Sequence, residues 1–400
     1  MTYKKMKRLL MLGGGHSEIP LILAAKELGY FVISTGNNPK GLGHAYADRF
    51  VCADFSNPLQ MLKLAKDERV EAICSGCNDF ALLSAAFVGE SLGFKGHDSF
   101  EVSKKIHHKD KFRALCQELG VFTPKAFRAC SIQDLEECIE KLDFPVMVKP
   151  IDLTGGKGIS KVHSLAMAKE AFLLATQKSK SPCVVVEEFV TGTNHGFSAL
   201  IQDQKVVFYF ADNEQYFLNP YLVSGANTPS TLQESSLKQL KNDVEKIAQT
   251  LNLCDGIFHV QLIESPKHGP VIIEACRRAP GDFYVELVRY ATGVPYSKYL
   301  VMAETGKGFP KISKNKRADF VLRHCVMANE EGVFESIEFD PRVDKNIFDK
   351  HIWAKKGDWV EDKLYYKAGI VFLKFDELQE MQDKTLLMNE YIKCKINPFD

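Results

Sequence analysis

The sequence predicts an α/β fold at its N-terminus, an α+β middle and a smaller β-rich end. Three observations carry this. Strand-like and helix-like runs alternate through the first hundred residues, the spacing of βαβ units on a parallel sheet. Paired β-type runs joined by short turns dominate the middle. After Gly308 the chain becomes β-rich again.

Taken in order, Arg8 to Leu12 is a short apolar strand that breaks on Gly13-Gly14-Gly15. Leu21 to Leu28 has helical spacing and stops at Gly29. Tyr30 to Ser34 is the next strand, and turn residues follow from Gly36 to Gly43. Gln60 to Lys66 reads as a helix, Ala72 to Cys74 as a strand and Phe80 to Leu92 as a helix. Lys109 to Leu119 is a helix ended by Gly120. Pro124 opens a strand, and Ser131 with Asp134 marks a cap before a helix from Leu135 to Lys141. Val184 to Phe189 is strongly β. Phe197 to Ile201 and Lys205 to Phe210 pair antiparallel across Gln202 to Gln204. Leu237 to Leu251 is helical. Phe258 to Ile263 and Val271 to Ala275 form a hairpin across Glu264 to Pro270. Asp319 to Val326 and Gly369 to Phe375 are the clearest late strands.

Composition bounds the function. Four hundred residues, 45% of them hydrophobic, suit two or three domains with proper cores. Fifty-one basic residues balance 51 acidic ones, so no global charge pulls the chain toward nucleic acid or an anionic membrane. No apolar run approaches the ~20 residues of a membrane helix. Eleven scattered cysteines cannot all pair, and no signal peptide is visible, so reduced thiols in the cytoplasm are expected.

Two segments carry the chemistry. FPVMVKPIDLTGGKGI, Phe144 to Ile159, delivers Lys149 at a strand end and then the glycine-rich loop Thr154-Gly155-Gly156-Lys157-Gly158. VIIEACRRAPGDF, Val271 to Phe283, delivers Glu274 and then Arg277-Arg278. A polyphosphate needs cations, backbone N–H donors and a metal ion before a nucleophile can approach it. These segments supply the cations, an amide-rich loop and a carboxylate able to hold the metal. The loop does not fit the Walker pattern, which needs Lys-Ser/Thr directly after its last glycine. Glu274 pairs across the hairpin with the strand of Gln261. One carboxylate and one amide oxygen make a lean magnesium site. Glu187-Glu188-Phe189-Val190 ends a strand as an adenine-reading hinge could.

Other motifs point less far. Gly13-Gly14-Gly15-His16-Ser17-Glu18 opens a helix after a strand, but Glu18 stands where a dinucleotide fingerprint wants a small residue. No acid for a ribose follows the second strand. A tight turn holding a small anion is the expectation. Cys74-Ser75-Gly76-Cys77 lacks partners for a metal site. Tyr216, Phe217 and Tyr221 are candidates for lining a substrate pocket.

Together these residues resemble the ATP-grasp superfamily from about Leu9 to Pro295, in the branch that holds carbamoyl-phosphate synthetase, biotin carboxylase, purine-pathway ligases and amino-acid ligases. The resemblance implies a Rossmann-like domain over 1–105, a two-lobed ATP-grasp domain over 106–305 with its small lobe near 120–190, and a β-rich region over 306–400 completing the large lobe. It implies that Lys111 and Lys149 contact the nucleotide and that Thr154 to Ile159 is the phosphate flap. Glu187 through Val190 would be the adenine hinge, acting through the Glu188 and Val190 backbone, and His195 would lie near the ribose. Gln261 and Glu274 would hold the metal, and Arg278 would be the arginine of an E-x-N-x-R pattern. Cys276 replaces the asparagine of that pattern. A thiol binds magnesium poorly, so a second metal is held weakly or a water fills the gap.

The activity so implied joins a carboxylate to an amine or ammonia through an acyl phosphate, with ATP and Mg2+ (Mn2+ as the other ion) as cofactors. Lys149, Glu274 and Arg278 would be catalytic. Two alternatives stand beside it: bicarbonate activation of the carbamoyl-phosphate-synthetase or carboxylase kind, and a nucleotide-binding regulator with little turnover. Small-molecule substrates are the expected partners, without nucleic acid or membrane, and a homodimer is left open.

Overall fold

The computed structural model describes residues 6–312 and 320–398. The predicted strand start at Asp319 lies outside them.

The first unit is a four-stranded parallel sheet in the order Arg49–Cys52, Tyr30–Gly36, Lys7–Leu12, Ala72–Cys74. Both of its faces are covered. Leu9 and Met11 pack into a core shared with the helices Ile19–Glu27, Tyr284–Thr292 and Tyr296–Glu304. Leu10 and Leu12, one residue out of phase, pack against Met61, Ala81 and Ala85 on the other face. The continuous apolar run is therefore a strand buried on both sides.

The second unit is an antiparallel sheet in the order Ala126–Ala129, Val184–Glu188, Val146–Pro150, Ser160–Val162. Two helices, Ile132–Ile139 and Leu165–Lys178, supply Leu135, Ala168 and Phe172 to its core. The Ser131 side chain caps the first by accepting from the Asp134 N–H, as its spacing predicts. The helix Lys109–Leu119 ends where expected: Gly120 takes φ +62°, the left-handed conformation a glycine adopts without steric cost.

The third sheet is eight-stranded and antiparallel throughout. Its order is Gly269–Cys276, Gly256–Ser265, Thr193–Gln202, Lys205–Tyr216, Val223–Thr228, Phe320–Met327, Lys367–Phe375, Ile347–Ile352. Both predicted hairpins are present in it. The late strands extend this sheet, and a separate three-stranded sheet of Trp359–Val360, Gly332–Phe339 and Ile392–Asn397 packs beside it. Sequence periodicity alone missed the strand Val223–Thr228, whose residues Val-Ser-Gly-Ala-Asn-Thr lack an apolar alternation.

One expectation is corrected at a single pair. Cys130 and Cys183 form a disulfide, because the pairing of Ala129 with Val184 sets the two strand ends side by side. Among the described residues no helix is long and apolar enough to cross a membrane.

Candidate active site

A cavity of about 650 Å³ opens between the small antiparallel sheet and the eight-stranded sheet. The small sheet contributes Met147, Lys149, Glu187 and Glu188. The large sheet contributes Asp212, Glu214, Gln261, Glu274 and Cys276, and Thr154, Gly155 and Gly156 close it from the flap side.

Lys149 ends its strand buried, with Nζ 2.7 Å from Glu187 Oε2. Arg113 Nη2 lies 2.9 Å from the other oxygen of that carboxylate. Burial alone pushes Glu187 up, but Arg113 and Lys149 outweigh it and hold the carboxyl below its usual range. Burial lowers Lys149, and Glu187 opposes the loss of its charge. Glu187 therefore serves as a counterion beneath the cavity floor. Of its neighbours, Glu188 and Val190 both line the cavity, and the Glu188 N–H is taken by the Lys125 carbonyl.

The expectation for Lys111 is corrected. Its side chain is on the outside of the helix Lys109–Leu119, 3.9 Å from Glu101. Two residues along a helix is a turn of about 200°, so neighbours at that spacing face apart. Lys109 instead faces inward, on the same stripe as Phe112, Arg113 and Cys116. Its Nζ donates to the Leu153 carbonyl at 2.6 Å and lies 3.4 Å from Glu274 Oε1.

His195 is corrected too. It is buried, with Nε2 2.7 Å from Thr193 Oγ1 and Nδ1 3.2 Å from both the Asp212 carbonyl and Ser230 Oγ. Side chains alternate along a strand, so Asn194 lines the cavity and His195 does not.

In the flap, Gly155 and Gly156 line the cavity with φ of +67° and +73°. A Cβ on Gly156 would sit 2.8 Å from the Tyr221 carbonyl oxygen, so this close approach needs glycine. Lys157 lines an adjoining opening with His16, Trp353 and Lys367. Gly158 packs against Pro150, away from the cavity.

On the opposite wall, Gln261 Nε2 donates to Glu214 Oε1 at 2.8 Å. That bond leaves the amide oxygen as the acceptor Gln261 offers beside Glu274, and two hard oxygens suit Mg2+. Among the described residues no three His, Cys, Asp or Glu side chains converge as a metal-binding group. Burial pushes the Cys276 thiol up to about 11, which keeps it protonated and unfit as a metal ligand.

Arg278 Nη2 donates to Asp79 Oδ2 at 2.6 Å, and His107 Nδ1 lies 3.6 Å from the other oxygen. Burial works against the guanidinium charge, but Asp79 more than restores it. Asp79 thus orients the arginine across the boundary between the first sheet's unit and the cavity. The turn at Gly13 to Glu18 holds its own anion: Glu18 accepts from the Gly15 N–H at 2.8 Å and the Cys77 N–H at 3.0 Å.

Sequence reasoning missed Lys109, Asp212, Glu214 and Arg323, all on the cavity wall. The inward stripe of the helix could have found Lys109. Asp212, Glu214 and Tyr216 recur at period two on one strand face, a signal present but unused. Tyr216 and Tyr221 line the cavity as expected, whereas Phe217 packs against the shared core.

The family described as carbamoyl-phosphate synthase L chain, ATP binding domain, matches residues 108–307. The carbamoyl phosphate synthase large chain of Campylobacter jejuni is 22% identical over 338 residues, covering 78% of this chain but 30% of its own length. An L-amino acid ligase structure from Bacillus licheniformis superposes with a TM-score of 0.83 at 18% identity, covering 98% of this chain and 100% of that one. The biotin carboxylase domain of Hydrogenobacter thermophilus 2-oxoglutarate carboxylase, solved with MgADP and bicarbonate, gives 0.78 at 16% identity, covering 98% and 91%.

Proposed function

This chain belongs to the carbamoyl-phosphate synthase L chain ATP-binding domain family and has its ATP-grasp α/β fold, and we propose that it is an ATP-dependent ligase joining a carboxylate to an amine or ammonia. The acid attacks the γ-phosphate of ATP, giving an acyl phosphate and ADP. The amine then attacks the acyl carbon and phosphate leaves.

The observation that supports this most is a single cavity with cations on one wall and acidic and amide oxygens on the other. In this reading Lys149 and Lys109 neutralise the triphosphate, and the Glu188 to Val190 segment takes the adenine. Glu274 and Gln261 would hold Mg2+, which would supply positive charge against the phosphates. The flap at Thr154 to Gly158 excludes water, because an acyl phosphate left wet hydrolyses. Arg278, oriented by Asp79, holds the acyl phosphate and its tetrahedral successor.

On the same reading, residues 1–105 are a Rossmann-like domain preceding the ATP-grasp lobes of 106–305, and the region 306–400 completes the large lobe. The test is an ADP-release screen of carboxylic acids and bicarbonate, each with and without ammonia and amines. Acid-dependent ADP release that Lys149→Ala and Glu274→Ala abolish is the expected result. ATP binding without release across the panel would instead favour a nucleotide-binding regulator.

A further inference from the structure

The deep wall of the cavity carries more acid than the triphosphate chemistry uses. Asp212 and Glu214 recur on one face of the strand Lys205–Tyr216. Across the sheet, Glu214 is paired with Ala226 and Ala226 with Arg323. The row therefore runs acid, small residue, guanidinium, and strands ~4.8 Å apart leave room above the alanine. All three residues line the cavity, as does Asp212.

These groups are unequally satisfied. Glu214 accepts from Gln261 at one oxygen and from Tyr216 at the other, both bonds within 2.8 Å. Asp282 is held by His16 and Lys367. Arg323 donates to the Asp282 carbonyl and lies against Cys325, so its hydrogen bonds go elsewhere although Asp212 and Glu214 feel its charge. Asp212 is fully buried. Its Oδ2 accepts from Tyr284 at 2.6 Å and the Gly196 N–H leans on the carboxylate, yet Oδ1 has no hydrogen-bond partner. A buried acceptor left unmet costs free energy, and a cavity wall that keeps one is matched to a donor the ligand brings.

We propose that the acid activated here carries an amino group, and that Asp212, supported by the negative field of Glu214, receives its ammonium. This rests on the ligase reading above and names its substrate class as an amino acid. An ammonium brings three donors, one of them for the unmet Oδ1, and a positive charge where two acids, Asp212 and Glu214, face one guanidinium. Bicarbonate, formate or a plain carboxylic acid brings neither. Asp212 touches the substrate in this scheme but takes no part in phosphoryl transfer.

The experiment uses the whole chain with ATP and Mg2+, scoring ADP release for matched pairs. Each proteinogenic L-amino acid is set against its desamino acid, such as alanine against propionate, phenylalanine against 3-phenylpropionate and glutamate against glutarate, with bicarbonate and formate alongside. The expected result is a preference of roughly tenfold or more in kcat/KM for the amino member of the preferred pair, the worth of one charged hydrogen bond. Asp212→Asn, which keeps the shape and the Tyr284 contact, should cut that preference, read as the amino-to-desamino ratio, to within about threefold. Equal rates for both members in the unaltered protein, or a preference that Asp212→Asn leaves untouched, overturn the inference and leave the ligase reading standing. The first comparison needs no variant, so a variant that fails to fold does not shelter the idea. ADP release with none of the acids overturns both.

Discussion

Lys149 and Glu187 form the buried ion pair on which the cavity floor rests, 2.7 Å apart and with Arg113 on the far oxygen of the same carboxylate. The two partners are not equivalent. Removing Lys149 leaves Glu187 answered by Arg113, whereas removing Glu187 leaves two neighbouring cations without their anion. Breaking a buried pair on the uncompensated side costs about 3–5 kcal/mol. Glu187→Ala should therefore lower stability in urea by that amount, and Lys149→Ala by clearly less. Lys149→Ala should still abolish ADP release, because its loss takes a cation from the triphosphate. Equal destabilisation by the two would mean that Arg113 does not carry the second half of the pair.

Lys109 and Lys111 stand two residues apart and point to opposite sides of their helix. Lys109 reaches Glu274 across the cavity, and Lys111 reaches only Glu101 at the surface. Lys109→Ala should lower kcat/KM for ATP by roughly a hundredfold or more, the scale of losing one preorganised charge donor. Lys111→Ala should stay within about twofold, as an exposed pair contributes little. Steady-state kinetics on both variants decides which lysine belongs to the site.

In the proposed ligase Asp79 would act on chemistry through Arg278, to which it is bound at 2.6 Å. Asp79→Asn keeps the shape and a hydrogen bond but removes the charge that orients the guanidinium. The expected signature is a kcat about tenfold lower with KM for ATP little changed, since the interaction matters after the nucleotide has bound. A matched rise in KM for ATP would place Arg278 on the nucleotide instead.

Much of this was readable in the chain. The hairpins, the cap at Ser131 and the stop at Gly120 follow from turn and cap chemistry, which is local. The pairing of Lys149 with the Glu274 wall followed from recognising a strand–flap segment and an acidic hairpin. What the sequence hid is long-range. Nothing local to Asp79 announces that Arg278, 199 residues on, will take its charge. Glu187 reads as a hinge residue until three-dimensional pairing with Arg113 turns it into a counterion. The basic motif points to Lys111, but helical phase puts Lys109 on the inward face.

On the resemblance to the E-x-N-x-R pattern Cys276 takes the asparagine position, and burial pushes its thiol up to about 11. A protonated thiol is a poor magnesium ligand, so the proposed site leaves the metal to Glu274 and Gln261. Cys276→Asn adds an amide oxygen at the same wall. Activity should be kept or raised, and the Mg2+ concentration for half-maximal ADP release should fall. A complete loss of activity would assign the thiol a role that its surroundings do not suggest.

His324 gives the fold a pH dependence away from the catalytic groups. It lies buried in the strand Phe320–Met327, where burial and then Arg323 hold the imidazole near 3, against an ordinary 6.5. A folded value below the unfolded one means that the unfolded chain takes the proton first. The stabilisation is full above about pH 6.5 and is lost as pH falls toward 3. Between pH 6.5 and 5 this single group should remove about 1.5 kcal/mol. His324→Gln should flatten the urea-derived stability over that interval by the same amount. His259, also near 3 by burial and Arg278, keeps its own share in the variant, so part of the slope persists. An unchanged slope in His324→Gln would mean that the ring is already protonated in the folded chain, which its unpartnered Nε2 beside Arg323 argues against.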